Sequence, residues 1–176
     1  WDFGGGSLAD FGCHYMDLAF WAMKLRHPTS VEAEGPAVDA EVTPRTLTLR
    51  YEFPKRGDLP PLRLTWYQGR RSPRVESDGV PAWNYGFLFV GSRGMLLVDY
   101  DRRKLLPEKQ FADFGPPKPS IVSSPGHWKE WAAACKHGTP TGCNFDAAGV
   151  LNEATLLGNV AFRAGRRIEW DAANLK

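Results

Sequence analysis

The sequence predicts an α+β fold: an open, mostly antiparallel β-sheet with helices packed on one face. Three observations carry this expectation. Residues 7–25 repeat apolar side chains at three- and four-residue steps, the pattern of a core-facing helix. Residues 46–68 alternate apolar and polar, as half-buried strands do. Residues 127–163 return to helix-length patterns stopped by glycines. Helix, then strands, then helices is not the repeating βα order of a parallel sheet.

Taken in order, Leu8, Phe11, Tyr15, Leu18, Ala22 and Leu25 are expected to face the core from the first helix. Asp10, His14, Asp17 and Trp21 form a second stripe about a quarter turn away. Cys13, Met16, Phe20 and Met23 fill much of the rest, so this helix is expected to be buried all round. Arg26-His27-Pro28 ends it. Ser30–Glu34 begins an extended run. In 46–53, Leu47, Leu49, Tyr51 and Phe53 share one face, and Thr46, Thr48, Arg50 and Glu52 the other. Leu62–Gln68 repeats the alternation. Residues 85–90 and 95–100 read as a hairpin about Gly91-Ser92-Arg93-Gly94. Residues 69–83 and 113–126 read as long loops. His127–His137 is a helix stopped by Gly138. Asp146 is expected to cap another, running to about Arg163 with Gly165 as its stop. Residues 167–170 form a last short strand. The outer sheet face, a mix of Thr, Arg, Glu and Tyr, is open to pairing with another subunit.

The bulk numbers bound the function. At 176 residues, 43% hydrophobic and 24% charged, the whole of 1–176 reads as one globular domain. The net charge of +2 is scattered, with no basic stripe for nucleic acid. No apolar run approaches the length of a membrane span. The cysteines, Cys13, Cys135 and Cys143, show no metal-ligand spacing. Cys13 and Cys135 sit in apolar helical patterns and are expected to be buried thiols; a Cys135–Cys143 bridge is the lesser expectation.

The richest segment is Gly4-Gly5-Gly6-Ser7-Leu8-Ala9-Asp10-Phe11-Gly12-Cys13-His14-Tyr15-Met16-Asp17. Between Gly6 and Lys24, Asp10, His14 and Asp17 are the only Asp, Glu, His, Lys or Arg. Spaced four and three apart, they share one helix face. Three readings stand side by side. The row is a set of caps with a satisfied core histidine; or His14 is a general acid/base oriented by a neighbouring carboxylate; or the row binds a divalent ion with help from His127 or Glu130. The glycines bring backbone close to a ligand, or simply turn the chain into the helix. Gly4-x-Gly6-x-x-Ala9 formally matches a dinucleotide fingerprint, but lacks the strand that should precede it. His127-x2-Glu130-Trp131 either lines the same cleft or is an ordinary polar helix start. Glu153 and Asn159 are buried hydrogen-bond partners or cleft residues.

That segment resembles the G-G-G-x-L-x-D-x-G-x-H-x-x-D stretch of the Gfo/Idh/MocA oxidoreductases, which include glucose–fructose oxidoreductase and inositol dehydrogenase. The resemblance continues through Tyr51-Glu52-Phe53-Pro54, Phe89-Val90-Gly91-Ser92-Arg93-Gly94 and Gly126-His127-Trp128-Lys129-Glu130-Trp131. It ends with Leu156-Leu157-Gly158-Asn159-Val160-Ala161 and Ile168-Glu169-Trp170-Asp171, and these later segments look like the bacterial branch. It implies a C-terminal domain without its N-terminal Rossmann domain, hence a piece of a longer protein. It implies a nicotinamide-dependent oxidoreductase acting on a sugar or polyol secondary alcohol. His14 and Asp10 match the family's catalytic His and Asp, and Gly5, Gly6, Asp17 and His127 are expected at the substrate. The family's catalytic Lys, from Glu-Lys-Pro, has no match here; the nearest is Pro107-Glu108-Lys109-Gln110. NAD or NADP is expected in the intact protein and none on this chain alone. The expected partners are a sugar or polyol, the Rossmann domain and further copies docked through the open sheet face. The alternatives are an NAD-dependent lyase, hydrolase or isomerase working through a transient keto-sugar, and a non-catalytic binding or oligomerisation module.

Overall fold

A computed structural model describes residues 1–176 and has an α+β architecture with two open antiparallel sheets. The larger is built from β1 (Ser30–Glu34), β2 (Leu47–Phe53), β3 (Leu62–Gln68) and the short β7 (Ile168–Glu169), in the order β3-β2-β1-β7. The smaller holds β4 (Phe87–Gly91), β5 (Gly94–Val98) and β6 (Arg103–Leu106), in chain order. Alternation sets the register. Leu49 lies opposite Trp66, Tyr51 opposite Leu64 and Phe53 opposite Leu62, so one face of the larger sheet is continuously apolar. The other face carries Glu34, Arg50, Glu52 and Arg63, joined by Arg50–Glu34 (2.9 Å) and Arg63–Glu52 (2.6 Å) pairs.

Five helices accompany the sheets: α1 (Gly6–Tyr15), α2 (Asp17–Ala22), α3 (Arg74–Ser77), α4 (His127–His137) and α5 (Phe145–Ala164). The main core lies between the apolar sheet face and α1, α2 and α5. Leu8, Met16 and Phe20 meet Leu47, Leu49, Tyr51 and Phe53, with Ala154, Leu157, Ala161 and Phe162 from α5. A smaller core of Val80, Leu97 and Leu106 serves the second sheet. Helix stops follow the expected chemistry: Gly138 and Gly165 both adopt the left-handed conformation.

Several expectations are corrected. The first helix breaks at Met16, and its buried stripe is Leu8, Gly12 and Met16, continued by Ala19 and Phe20. Phe11 is 48% exposed and Leu18 and Trp21 also face outward, so the helix is not buried all round. Gly12 explains the choice. A Cβ there would press on Thr155 of α5, so the small residue lets the two helices meet closely and the bulky stripe turns away. The helix ends with Lys24 in the left-handed region and Leu25 N–H donating to Phe20 O (2.9 Å), ahead of the Arg26-His27-Pro28 stop. The cap of α5 is Asn144, whose Oδ1 accepts from Ala147 N (3.0 Å), while Asp146 sits in the first turn. Helix α3 and strand β6 have no counterpart in the sequence pattern, and the strands divide into two sheets. All three cysteines are free, and Cys135 is exposed.

Candidate functional site

The triple glycine positions α1. Gly6 has a φ of +68°, a left-handed turn, and Thr43 packs where its side chain would be. Gly5 offers its carbonyl to Asn159 Nδ2 (2.9 Å), and a Cβ on Gly5 would meet that same amide. The close approach these two glycines permit is thus to the protein's own Asn159 and Thr43; only Gly4 has open space around it. Asn159 is buried, and its bond ties the start of α1 to the middle of α5. Cys13 Sγ adds a second tie, donating to Asn152 Oδ1 (3.0 Å).

Asp10 and His14 on this anchored helix, and Asp17 at the start of α2, all face solvent. None of the three takes part in a side-chain hydrogen bond or ion pair: His14 stands near the Phe11 ring (centroids 6.3 Å apart), and Asp10 does not bond it. The orienting Asp10–His14 contact is therefore not made in this structure. Asp17 lies in the first turn of α2, where a carboxylate complements the helix dipole. No three His, Cys, Asp or Glu side chains converge to hold a metal ion. His127 opens α4 against Trp128 (4.6 Å between centroids), and the hydrogen bonds of that helix start belong to Glu130, which accepts from Ser124 Oγ (2.7 Å) and Gly142 N. Those two donors hold the Glu130 carboxyl below its usual range. Nothing in this arrangement joins His127 to His14.

Glu153 and Asn159 resolve as hydrogen-bond partners. Glu153 Oε1 accepts from Trp170 Nε1 (2.8 Å) and lies 2.7 Å from His27 Nδ1, fastening the C-terminal segment to α5.

Two features escaped the sequence. Tyr15 packs between Tyr85 (5.7 Å) and Tyr100 (5.6 Å), bridging α1 to the second sheet. Loss of water raises the Tyr15 phenol above its ordinary value, with Tyr100, Tyr85 and Asp99 adding to the rise. The three tyrosines are far apart in sequence, and no local pattern joins them. The second feature is a cleft of about 1140 Å³ between the outer edges of β3 and β4. Phe11 and Tyr15 form part of its wall; Asp10, His14 and Asp17 do not.

Every strand pairing is antiparallel, and Thr43 fills the space over Gly6.

No protein-family model matches this chain, and no functionally curated protein matches it. Among solved structures it is similar to that of yvaA from Bacillus subtilis, named as a candidate oxidoreductase, with 12% identity and a TM-score of 0.46. The likeness covers 94% of this chain and 53% of that one, so the chain spans about half the length of this neighbour.

Proposed function

We propose that this chain is the substrate-binding and proton-handling half of a nicotinamide-dependent oxidoreductase acting on a sugar or polyol secondary alcohol. The observation that carries the reading is the Asp10–His14–Asp17 row. These groups point into solvent and spend no hydrogen bond on their own fold; Asp10 and His14 sit on a helix pinned at Gly5, Gly12 and Cys13, and Asp17 opens the next. Acid–base groups left free on a rigid element are what proton transfer to a bound ligand requires. The resemblance of residues 4–17 to the Gfo/Idh/MocA segment supports the same assignment.

In this reading, His14 accepts the proton of the reacting hydroxyl through a ring nitrogen. Asp10, one turn earlier, swings to hold the imidazole and a neighbouring hydroxyl when substrate arrives, since catalytic hydrogen bonds often tighten only in the complex. Asp17 supports the next hydroxyl. Gly5 and Gly6 contribute by shaping the entry to α1, and His127 adds a further contact to the substrate. The dinucleotide, NAD or NADP, belongs to a separate domain, and no residue of this chain is assigned to it. We further propose that copies of the chain associate through the outer face of the larger sheet, where Arg50, Glu34, Arg63 and Glu52 form cross-strand pairs.

Titration calorimetry of the chain with NADH and NADPH tests the division of labour. No binding is expected; micromolar binding of either overturns the reading. Light scattering tests association: the expected mass is a multiple of 19.6 kDa, and a strict monomer rejects the interface.

A further inference from the structure

A run of touching aromatic rings starts at His14, and the acid–base row does not use it. The His14 ring stands 6.3 Å from Phe11, and Phe11 stands 6.1 Å from Tyr15. Tyr15 then meets Tyr85 (5.7 Å) and Tyr100 (5.6 Å). Three parts of the chain supply the rings: α1, the loop before β4, and the turn between β5 and β6. Phe11 is 48% exposed, Tyr85 53% and Tyr100 66%. Phe11 and Tyr15 are nearly parallel, at 17°, but their centres are too far apart for one ring to shield the other. Exposed rings scattered singly need no explanation, whereas rings in contact form a patch that does.

The far end of the patch is held in place. Tyr100 rides on the turn 99–102, closed by Asp99 N–H donating to Arg102 O (2.9 Å). The Asp99 carboxylate accepts from the Asp101 (3.0 Å) and Arg102 (2.8 Å) amides and from Arg102 Nε (2.8 Å). Arg102 in turn lies over the Trp83 ring, 4.2 Å from its centre.

The chemistry of the patch is mixed. The hydroxyls of Tyr15, Tyr85 and Tyr100 make no hydrogen bond within the protein, so flat ring faces alternate with unspent polar groups. A purely apolar partner would strand those hydroxyls and His14. A pyranose ring matches both halves. Its slightly positive C–H face lies on the negative face of an aromatic ring, and its rim of hydroxyls donates and accepts. Each step from ring to ring is about the width of one pyranose. A sugar seated at His14 and Phe11 therefore leaves Tyr85 and Tyr100 uncovered.

We propose that Tyr15, Tyr85 and Tyr100 bind a second sugar residue, so that the ligand is a disaccharide or longer glycoside and not a free monosaccharide. The seat of the reacting sugar at His14 rests on the oxidoreductase reading; the stacking on the tyrosines does not.

The test is titration calorimetry of the chain with cellobiose, maltose, lactose and melibiose, each beside its component monosaccharides. At least one disaccharide is expected to bind about tenfold tighter than its components. Tyr100→Ala, at an exposed position, brings that disaccharide down to the affinity of its components and leaves theirs unchanged, with the melting temperature held. Tyr85→Ala does the same. Tyr100→Phe keeps the ring and most of the preference. Trp128→Ala removes an exposed ring elsewhere and changes nothing. No binding of any of these sugars, disaccharides binding no tighter than monosaccharides, or equal losses for both with Tyr100→Ala overturns the proposal. Polyol oxidation by the intact protein without a disaccharide preference removes the second sugar alone. Disaccharide binding by an intact protein that oxidises no sugar removes the redox reading alone.

Discussion

The tightest residue-level constraint is Gly158. A Cβ there would collide with the Tyr51 hydroxyl, with Leu49 Cδ1 and with Leu8 Cδ2, all in the main core. Gly158→Ala is therefore expected to cost about 1–3 kcal/mol, the range for overpacking a filled core. Tyr51 is itself an anomaly: its hydroxyl is buried with no partner. Tyr51→Phe deletes an unpaired polar atom and is expected to be neutral or stabilising. It also removes one of the three atoms that the methyl added by Gly158→Ala would strike, so the double variant should recover part of the loss. Urea-unfolding midpoints for the two singles and the double check all three statements; strict additivity would contradict the packing described. Asn159→Ala should cost about 1–3 kcal/mol as well, because the Gly5 carbonyl loses its donor. In the sequence, Asn159 and Gly5 are 154 positions apart, so this bond, which aims the candidate helix, had no local signature.

At the scale of elements, strands were the most legible part. Leu47, Leu49, Tyr51 and Phe53 alternate so regularly that their shared face was readable, and the structure then pairs that face with Leu62, Leu64 and Trp66 of β3. The first helix was legible as a helix but not in its rotation. Both the Leu8–Phe11–Tyr15 row and the Leu8–Gly12–Met16 row are apolar or small, and periodicity cannot rank them. The closeness of α5 decides, because only the row containing Gly12 lets the helices approach. Strand β6 opens with Arg103 and Lys104 and has no alternation to announce it. Helix α4 shows what happens where packing is thin: it has no buried residue, and its fastening to the following loop rests on Glu130. Glu130→Gln should loosen this helix, read as faster amide exchange across 127–137 at neutral pH. Because the folded carboxyl is held below its usual value, its contribution is present above about pH 4.5 and is lost as pH falls further. The gap between wild type and variant should close there; a gap that persists in acid would reject the charge as its cause.

Across the whole molecule, alternation marked the strands but not their division into two sheets. Which edges pair is a non-local matter, and here the outer edges of β3 and β4 face a cavity instead of each other. The alkaline behaviour of the fold also belongs to this scale. Burial raises the phenol of Tyr51 far above its ordinary 10, and Tyr15 is raised as well. Above about pH 10 the unfolded chain releases these protons while the folded one retains them, so stability falls as pH rises. Melting temperatures from pH 8 to 11 should show this decline, and Tyr51→Phe should make it shallower; an unchanged slope would contradict the burial of that hydroxyl. Asp10, His14 and Asp17 were legible as a group, three residues within eight positions of a helical stretch. Its exposure was not legible, because that depends on which side of α1 meets α5. The most direct measurement is steady-state oxidation of a panel of sugars and polyols by the intact protein with NAD or NADP, comparing wild type with His14→Ala. With His14 as the base, kcat falls by about 10²–10⁴-fold, the usual worth of a general base, and dinucleotide affinity is unchanged. Turnover within twofold of wild type, or no polyol oxidised by the wild type at all, would contradict that role.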